Sequence, residues 1–431
     1  MRVYLLSSHS LIFRTHSSSR YSVAALVGAL ELDPRLVNLE IQAPLNLSLK
    51  SIQKAVDRGL TIVAHSVMST QTNRVYKEVK EIREHFGNKV TIIGGGAHAS
   101  IRPKELLANG FDYVVVGEGE YAFPDLIWHL INDRNPLNIP SVVDKTLDDV
   151  PDPKNLPHVD LNKCPPFALG MNILGPIEVT RGCPFQCKFC STPFLTGRRV
   201  RHRSVESISN WLKLAVEKSG FERTWFLSPN ALCYGGHGRK AEPEKLETLL
   251  KTVTKIEGLD EVFFGSFPSE VRPEFVSQSI LEMLRSYVAN DTLQIGLQSS
   301  SNRVLEQVNR HHTVDQGMNA IRIALDTDFI PHVDMIFGLP GETKEELHDS
   351  VKLCYDLVEM GAKIHGHVFM PLPGSAYENM PPGRLDPESR RLLGELSRRK
   401  EMTGSWSTQE GIAEYLWTQN KEGRSLSEDE T

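Results

Sequence analysis

The stretch Glu178-Val-Thr-Arg-Gly-Cys-Pro-Phe-Gln-Cys-Lys-Phe-Cys190 decides how this chain is interpreted. It brings Cys183, Cys187 and Cys190 together in one loop, directly after an apolar run that predicts a strand. Thiolates four and three residues apart can converge on one face of an iron–sulfur cube. Three ligands for four irons leave one iron open to a small chelating molecule. The spacing therefore predicts a [4Fe–4S] cluster with one free coordination position.

A structural zinc site is the main alternative for these cysteines. Zinc normally takes four protein ligands in a closed tetrahedron. The closest histidine downstream is His202, and no second pair of cysteines is present. A loop of inert, buried cysteines is a further alternative. The remaining cysteines, Cys164, Cys233 and Cys354, are scattered and are interpreted as ordinary thiols.

Strand and helix patterns alternate from residue 176 to 370, around and after the cysteine loop. Parallel strands with right-handed crossovers open into a sheet or curl into a barrel, and six units predict a partial (β/α)6 barrel. The helices are predicted near 204–219, 242–255, 273–287, 301–326 and 342–360. The predicted strands are Ile177–Thr180, Thr224–Leu227, Val262–Phe264, Thr292–Gly296, His332–Phe337 and Lys363–Phe369.

The first 135 residues show the same alternation. Apolar strands separated by helices of 10–15 residues predict a parallel, doubly wound, Rossmann-like sheet, so the fold class is α/β. The predicted strands are Val3–Ser7, Leu36–Ile41, Thr61–Ser66, Val90–Ile93 and Tyr113–Val116. The predicted helices are Ser22–Leu30, Leu49–Arg58, Asn73–Phe86, Pro103–Asn109 and Ala122–Ile131.

Two further segments complete the predicted organisation. Residues 136–170 are rich in proline and lack periodicity, which predicts an extended connector over the protein surface. Residues 376–431 predict a helical extension, with helices at Pro387–Lys400 and Gln409–Trp417 and a disordered tail at Asn420–Thr431. The expected domains are therefore 1–135, the connector 136–170, the barrel core 171–375 and the extension 376–431.

Composition limits the partners and the compartment. The net charge of −6 argues against a nucleic-acid partner, and the basic run Arg198–Arg203 is interpreted as a rim that contacts phosphate or an acidic residue of the same protein. No stretch approaches the roughly 18–20 apolar residues of a transmembrane helix, and the first residues are too short an apolar run for a signal peptide. The scattered cysteines do not resemble a disulfide framework. We expect a cytoplasmic protein with no membrane partner.

A CxxxCxxC loop after the first strand of a βα series resembles the radical S-adenosylmethionine (SAM) superfamily. The resemblance implies that SAM chelates the open iron and that a low-potential electron donor reduces the cluster. It also implies that cleavage of SAM yields a 5′-deoxyadenosyl radical, which abstracts hydrogen from an unactivated carbon. Phe189 resembles the aromatic residue of the signature, which packs near adenine.

Further stretches at the predicted strand ends fit the same family. Phe267–Glu274 follows the third strand, Gln298–Ser301 resembles a Gln-Ser-Gly-Ser stretch, and Asp334–Glu342 contains Gly-Leu-Pro-Gly-Glu. The alternatives are a helix cap at Ser269–Glu270 and a simple strand-to-helix turn at Gly338. The residues that the resemblance implies for SAM are Phe189, Ser269, Glu270, Arg272, Gln298 and Gly338.

The first domain resembles the cobalamin-binding domain that precedes the radical SAM core in class B methyltransferases. The matching stretches lie at carboxyl ends of predicted strands, where open α/β sheets bind ligands. A Rossmann-like domain that binds nothing, or another nucleotide, is the alternative. His98 is interpreted as a loop hydrogen-bonder, and no Asp-x-His-x-x-Gly motif offers cobalt a histidine. The residues implied for cobalamin are Ser69, Thr70, Gln71, Gly94, Gly95, Gly96, Ser100, Gly117, Glu118 and Gly119.

Together the two resemblances imply transfer of methyl from methylcobalamin to an unactivated sp3 carbon. The sequences of Phe267–Glu274 and Phe369–Gly374 resemble those of a branch of the family that is common in methanogenic archaea. This resemblance implies a protein or peptide substrate. A member of that branch modifies the α carbon of a glutamine in the α subunit of methyl-coenzyme M reductase. The alternatives are a non-methylating cobalamin radical SAM enzyme, a tRNA methylthiotransferase and a non-catalytic carrier. The sequence assigns no catalytic side chain.

Overall fold

The computed structural model describes residues 9–147 and 149–428, and the chain divides into two compact units between Pro176 and Ile177. The strands of the first unit are β1 (His9–Arg14), β2 (Glu40–Gln42), β3 (Leu60–Ser66), β4 (Val90–Gly95), β5 (Tyr113–Val115) and β6 (Val142–Val143). Its helices are α1 (Arg20–Leu32), α2 (Leu49–Val56), α3 (Thr72–Phe86), α4 (Ala97–Ile101), α5 (Pro103–Ala108) and α6 (Gly119–Ile131).

The strands of the first unit form one sheet in the order β2-β1-β3-β4-β5-β6, parallel except for β6. Successive residues of a strand face opposite sides of the sheet. Ile12 and Val63 therefore pack with α2 and α3, whereas Leu11 and Ile62 pack with α1 and α6. Helices on both faces of a parallel sheet confirm the predicted doubly wound fold.

The proline-rich segment belongs to the first unit. Strand β6 within it adds to the sheet edge beside β5, and Phe167 and Ala168 are fully buried. Gly28 of α1 lies so close that a Cβ there would overlap the carbonyl oxygen of Phe167. The segment is thus partly packed into the core rather than simply extended over the surface, because its apolar residues find a groove beside α1.

The second unit contains nine strands among the described residues and a series of crossover helices. The strands are β7 (Ile177–Glu178), β8 (Thr180–Arg181), β9 (Arg201–His202), β10 (Arg223–Leu227), β11 (Glu261–Phe263), β12 (Thr292–Gln298), β13 (Ile330–Phe337), β14 (Lys363–Val368) and β15 (Met402–Thr403). The helices are α7 (Thr192–Thr196), α8 (Val205–Ser219), α9 (Pro243–Val253), α10 (Gln278–Arg285), α11 (Asn302–Gln307), α12 (Val314–Asp326), α13 (Lys344–Glu359), α14 (Pro387–Arg398) and α15 (Trp406–Glu428).

Two parallel sheets carry the six predicted strands. One has the order β11-β10-β7 and the other the order β12-β13-β14-β15, while β8 and β9 form a separate antiparallel ribbon. A parallel bridge between Val271 and Ile295 joins the loop after β11 to β12. The strands therefore follow one another in chain order, as the predicted partial (β/α)6 barrel requires.

The sheet β12–β14 has one apolar and one polar face. On the apolar face, Leu297 packs so tightly on α12 that a Cβ at Gly317 would overlap its side chain. The opposite face carries Gln294, Gly296 and Gln298 of β12, with Asp334 on β13 and His365 and His367 on β14. Register pairs Gly296 with Asp334, and Asp334 with His365, so these residues form one row across three strands. Polar side chains thus gather on the face away from the helices.

Some predicted elements differ from the structure. The strand predicted at Val3–Ser7 lies outside the described residues, and β1 was missed because its sequence begins with two polar residues. The single helix predicted at 301–326 is two helices, α11 and α12, which are separated where Asn309 adopts a left-handed conformation. The disordered tail predicted from Asn420 is wrong up to Glu428, where α15 ends. The buried Asn420 side chain donates to Pro371 O (3.1 Å) and Glu378 O (2.6 Å), which anchors this helix.

Candidate active site

The cysteine loop leaves β8 through a strained turn at Gly182. Gly182 has φ +93°, and a Cβ there would overlap Arg199 O, so only glycine fits. The Cys183 backbone N–H donates to Gly197 O (3.1 Å), and that of Cys190 donates to Cys187 O (3.0 Å). All three cysteines are free of disulfide bonds, and burial raises the pKa of Cys183 to about 11. The loop is therefore held by backbone hydrogen bonds, and its thiols are available as metal ligands.

Two buried arginines point at the same thiol. Arg272 Nη1 and Arg310 Nη1 each lie 3.7 Å from Cys187 Sγ, and the two side chains are only 3% and 5% exposed. The Arg272 guanidinium also lies 3.7 Å from the centre of the Phe185 ring. Arg272 Nη2 and Arg310 Nε have no hydrogen-bond partner within the described part of the chain. Buried, incompletely paired guanidinium groups beside a cysteine suit an anionic cofactor.

Two glutamates form ion pairs with these arginines. Arg310 Nη2 donates to Glu270 Oε1 (3.2 Å) and to Gly296 O (2.7 Å), while Arg272 Nε donates to Glu274 Oε1 (2.7 Å). Burial would raise the pKa of Glu274, but the hydrogen bond from His312 and the charge of Arg272 outweigh burial and lower that pKa to about 2. Burial raises the pKa of Glu270, which lies near Asp334 as well as Arg310.

The row of polar residues on β12, β13 and β14, on the sheet face away from the helices, extends to these arginines and glutamates. A Cβ at Gly296 would overlap Glu270 Oε1, so Glu270 packs directly on the row's first strand. Asp334 follows on β13, where its Oδ1 contacts Gln294 Nε2 (2.5 Å), His365 Nδ1 (2.7 Å) and His367 Nε2 (3.8 Å). Burial would raise the pKa of Asp334, but the hydrogen bond from His365 and the close approach of His367 outweigh burial and hold that pKa below its usual range. Asp334 is therefore an ionised, buried acceptor.

The residues predicted for SAM lie in different surroundings in the structure. It brings Glu270 and Arg272 close to the cysteine loop. Phe189 is half-buried and packs against the apolar cluster of Val304, Leu339, Phe369 and Tyr377.

The other three residues predicted for SAM have clear structural tasks. Ser269 Oγ donates to Phe226 O (2.6 Å) and accepts from the Ser228 N–H (3.0 Å), so it joins two loops. Gln298 is buried, has φ +78° and ends the bulged strand β12. Gly338 has φ +72°, and a Cβ there would be 2.8 Å from the backbone nitrogen of Arg384.

The residues predicted for cobalamin gather at one edge of the first unit. They lie at or just after the carboxyl ends of β3, β4 and β5, which are adjacent in the sheet. Ser100 Oγ donates to Gly96 O (2.9 Å) and accepts from the Gly117 N–H (2.9 Å), so it ties two of these loops together. A Cβ at Gly95 would meet nothing within 4 Å, so its backbone faces open space that a ligand can occupy.

Other residues of the set pack on the protein itself. A Cβ at Gly94 would be 2.5 Å from Leu106, so this glycine serves packing. Glu118 Oε2 accepts from the Val159 N–H (2.7 Å), and Gly119 begins α6. His98 hydrogen-bonds Ser69 Oγ (3.0 Å) and Tyr76 OH (3.3 Å), so it is a hydrogen-bonding residue as predicted, but it lies in α4 rather than in a loop. Thr70 and Gln71 lie partly buried in the short helix that follows β3, and Gly117 has φ +79°.

The sequence patterns missed several polar residues. Arg310, His365 and His367 were not predicted, although histidines at alternate positions of an apolar strand could have indicated a polar inner face. In the first unit, His16, His65 and Glu78 bring ligand-type atoms within 4.8 Å of one another. His65 is buried, and its two ring nitrogens have no hydrogen-bond partner among the described residues. A histidine inside the strand Leu60–Ser66 was the available signal.

Comparison with known families gives the two units their assignment. The B12-binding domain family matches residues 13–127, and the radical SAM superfamily matches residues 177–354. The chain carries a B12-binding domain followed by a radical SAM domain. Its cofactors are accordingly a [4Fe–4S] cluster, SAM and cobalamin, and the free cysteine triad, the buried guanidinium groups and the open backbone at Gly95 fit them.

Relatives by sequence are distant. An uncharacterised protein of Methanopyrus kandleri is 29% identical over 52% of this chain and 43% of its own length. An uncharacterised methyltransferase of Pyrococcus horikoshii is 26% identical over 65% of this chain and 61% of its own length. The chain thus spans less than two thirds of either relative. A tRNA-2-methylthio-N(6)-dimethylallyladenosine synthase of Ehrlichia canis is 24% identical over 85% of this chain and 80% of its own length.

Two solved structures share the fold of most of this chain. The radical SAM methyltransferase TsrM of Kitasatospora setae, with cobalamin and a [4Fe–4S] cluster bound, aligns with a TM-score of 0.66 and 15% identity. That alignment covers 87% of this chain and 74% of TsrM. The cobalamin-dependent SAM radical enzyme OxsB aligns with a TM-score of 0.65 and 16% identity, over 91% of this chain and 56% of OxsB. Among the described residues, no helix has the length and apolar character to cross a membrane.

Proposed function

We propose that this protein is a cobalamin-dependent radical SAM methyltransferase that acts on an unactivated sp3 carbon. The observation that carries the proposal is the order of domains, a B12-binding domain directly before a radical SAM domain. The same architecture occurs in the methyltransferase TsrM, and a relative in Pyrococcus horikoshii is named a methyltransferase. When bound, the cluster and SAM supply the radical that removes a substrate hydrogen, and cobalamin supplies the methyl group.

The chain's own residues have positioning and electrostatic tasks in this proposal. Cys183, Cys187 and Cys190 hold the cluster, which leaves one iron for SAM. Arg272 and Arg310 offset the negative charge of thiolates and of the SAM carboxylate from buried positions, where charge interactions are stronger than in water. At the first unit's sheet edge, the Ser100 hydrogen bonds fix the loops around the open backbone at Gly95.

We further propose that the substrate carbon is the α carbon of a glutamine in the α subunit of methyl-coenzyme M reductase. The resemblance of Phe267–Glu274 and Phe369–Gly374 to a methanogen branch supports this substrate. A low-potential donor would reduce the cluster in the cytoplasm, where thiols stay reduced. The modification would then be post-translational, on a protein or peptide.

The test is an anaerobic assay of reconstituted protein. The protein is loaded with iron, sulfide and cobalamin, and receives SAM, a low-potential reductant and a glutamine-containing peptide of the reductase. Mass spectrometry follows the peptide and 5′-deoxyadenosine together. We expect one added methyl group on glutamine and a matching amount of 5′-deoxyadenosine. Cleavage of SAM without methylation would reject this substrate and keep the enzyme class, whereas neither product from loaded protein would reject the methyltransferase.

A tRNA methylthiotransferase is the competing outcome, because the Ehrlichia canis relative spans most of this chain. Such an enzyme is expected to hold a second cluster with three more cysteines in its first domain. Residues 13–127, which the B12-binding family matches, contain no cysteine. The same assay with undermodified tRNA as substrate separates the two activities, and methylthio-adenosine would overturn the proposal.

A further inference from the structure

The row of polar residues on β12, β13 and β14 contains a carboxylate–imidazole pair, Asp334 and His365, that the proposed cofactor sites do not include. His365 Nδ1 lies 2.7 Å from Asp334 Oδ1, and Asp334 is ionised because hydrogen bonds lower its pKa. A carboxylate only accepts hydrogen bonds, so the proton of a neutral His365 ring sits on Nδ1. Gln294 Nε2 also lies 3.3 Å from Nδ1, but it donates to Asp334 Oδ1 at 2.5 Å, and the shorter contact of Nδ1 is the one with Asp334. The other ring nitrogen, Nε2, is then a lone-pair acceptor held in a fixed direction.

A second histidine is fixed in the opposite tautomer. The Val368 N–H donates to Gln409 Oε1 (2.9 Å), which orients the Gln409 amide so that its Nε2 faces His367 Nδ1 at 3.2 Å. His367 Nδ1 must therefore accept, and its proton lies on Nε2, the nitrogen that faces Asp334. Gln294 and the two histidines thus all contact Asp334 Oδ1, and His365 Nε2 is the imidazole acceptor that remains.

These distances fit a proton between the groups better than a metal ion. Asp334, His365 and His367 are the residue types of a metal site, and their atoms lie close enough for one. Ligands at about 2.0–2.2 Å in a tetrahedral zinc site are separated by roughly 3.3 Å. The 2.7 Å between His365 Nδ1 and Asp334 Oδ1 is a hydrogen-bond distance, and Gln294 Nε2 donates to the same oxygen.

The pair can be reached by a ligand and has an apolar neighbour. The His365 side chain is 23% exposed, and the Phe267 ring lies 6.5 Å from its ring and is 69% exposed. An exposed phenylalanine beside an oriented imidazole offers an apolar surface and one hydrogen-bond acceptor. Small-molecule and peptide sites combine groups in this way.

The pair also shares its sheet face with the residues around the cysteine loop. His365, Asp334 and Gly296 are in register on three neighbouring strands. Glu270 packs on Gly296, and Arg310 contacts both Glu270 and Cys187. A substrate bound at His365 would thus lie along a continuous polar row that leads to the cluster ligands.

We propose that Asp334 and His365 form a substrate-binding pair, in which His365 Nε2 accepts a hydrogen bond from an amide N–H. Phe267 packs against the apolar part of the same substrate. This inference rests on the proposed function, since it assigns the amide to a glutamine-containing peptide. His365 contacts the substrate and determines specificity, whereas Asp334 is a positioning residue that acts through His365.

The first experiment measures binding without turnover. Diethyl pyrocarbonate acylates accessible, unprotonated imidazole nitrogens, and mass spectrometry of peptides reports each histidine of the reconstituted protein. We expect His365 to be modified faster than the buried His312, and the glutamine peptide to slow its modification at least threefold. A peptide with alanine in place of glutamine should protect less. Equal modification with and without the peptide would overturn the proposal, whether or not the peptide is methylated.

The second experiment measures turnover in the variants His365→Phe and His365→Gln, with His348→Phe as a matched control on α13. Phenylalanine removes the acceptor, whereas the glutamine oxygen can replace it. We expect His365→Phe to raise the KM for the peptide about tenfold or more, and His365→Gln to restore part of the loss. His348→Phe should keep the wild-type KM and the wild-type rate of 5′-deoxyadenosine formation. The iron content and the SAM affinity of the His365 variants are measured separately and report whether the cluster site is intact.

The two experiments separate the possible failures. Protection of His365 without methylation keeps the binding pair and rejects the proposed reaction. Methylation with an unchanged KM in His365→Phe keeps the reaction and rejects the binding pair. Zinc content is measured after the cluster is reconstituted. One zinc ion per wild-type chain that is lost in His367→Ala would reject the proposal in favour of a metal site.

Discussion

Arg310 Nη1 lies 3.7 Å from Cys187 Sγ and reaches it from the turn after α11, on a different element from the cysteine loop. Hydrogen bonds and nearby positive charge stabilise the reduced, more negative state of an iron–sulfur cluster. We therefore expect Arg310→Met to make the reduction potential of the cluster more negative. The shift is roughly 60 mV if the lost interaction differs by about 1.4 kcal/mol between the two redox states.

The measurement is a potentiometric titration of the reconstituted protein without SAM, followed by electron paramagnetic resonance of the reduced cluster. Arg223→Lys, at an exposed ion pair with Glu261, is the control and should leave the potential unchanged. Arg310→Gln keeps an N–H donor without the charge and should fall between wild type and Arg310→Met. An unchanged potential in Arg310→Met would mean that this arginine serves only the structure of the loop.

Gly182 gives a second prediction, which concerns cluster assembly. A side chain there would overlap Arg199 O and force an unfavourable positive φ. We expect Gly182→Ala to cost about 1–3 kcal/mol of stability and to lower the iron content after reconstitution by more than half. Gly394→Ala on α14, where a Cβ meets nothing within 4 Å, is the control and should be neutral or slightly stabilising. Full iron loading of Gly182→Ala would contradict the prediction.

The local patterns were sufficient for the fold, and they also supply the predicted cluster ligands. Cys183, Cys187 and Cys190 are neighbours in sequence, so their convergence needs no long-range contact. Strands such as β13 are short apolar runs between helices of clear periodicity, and these signals are local too. The predicted doubly wound sheet and barrel were confirmed because each depends on the repeated order of strand and helix rather than on any one boundary.

Residues that meet through tertiary contacts were not accessible to the same reasoning. Arg310 reaches Cys187 from another element, and Gln409 orients His367 from α15. The three consecutive glycines of the first unit were treated alike, although Gly94 packs on Leu106 and only Gly95 faces open space. The periodicity of a sequence indicates which face of a helix or strand a residue occupies. It does not indicate which residues of other elements pack against that face.

Gly95 gives a third prediction, on cobalamin binding. Because a Cβ there meets no atom within 4 Å, larger side chains should fit the folded protein and occupy the space left for the ligand. We expect Gly95→Ala to weaken hydroxocobalamin binding slightly and Gly95→Leu to weaken it at least tenfold, with unchanged melting temperatures. Absorbance titration with hydroxocobalamin measures the affinity. Wild-type affinity in Gly95→Leu would exclude this part of the sheet edge from the cobalamin site.

His65 gives a fourth prediction, on the pH dependence of stability. Burial lowers the pKa of His65 to about 4, from about 6.5 in an unfolded chain. Above pH 6.5 the imidazole is neutral in both states and contributes no pH dependence. Between pH 6.5 and 4 only the unfolded chain binds the proton, so the free energy of unfolding falls as the pH falls, by about 3 kcal/mol in total.

Scanning calorimetry at pH 7.5 and pH 5 can measure this loss. In His65→Phe, a ring without titratable nitrogens replaces the imidazole, and we expect a smaller decrease in melting temperature between the two pH values than in wild type. His85→Phe, at an exposed position on α3, should keep the wild-type decrease. If His65→Phe and wild type lost the same stability on acidification, His65 would have to be protonated in the folded protein. The buried ring nitrogens, which lack hydrogen-bond partners among the described residues, argue against that state.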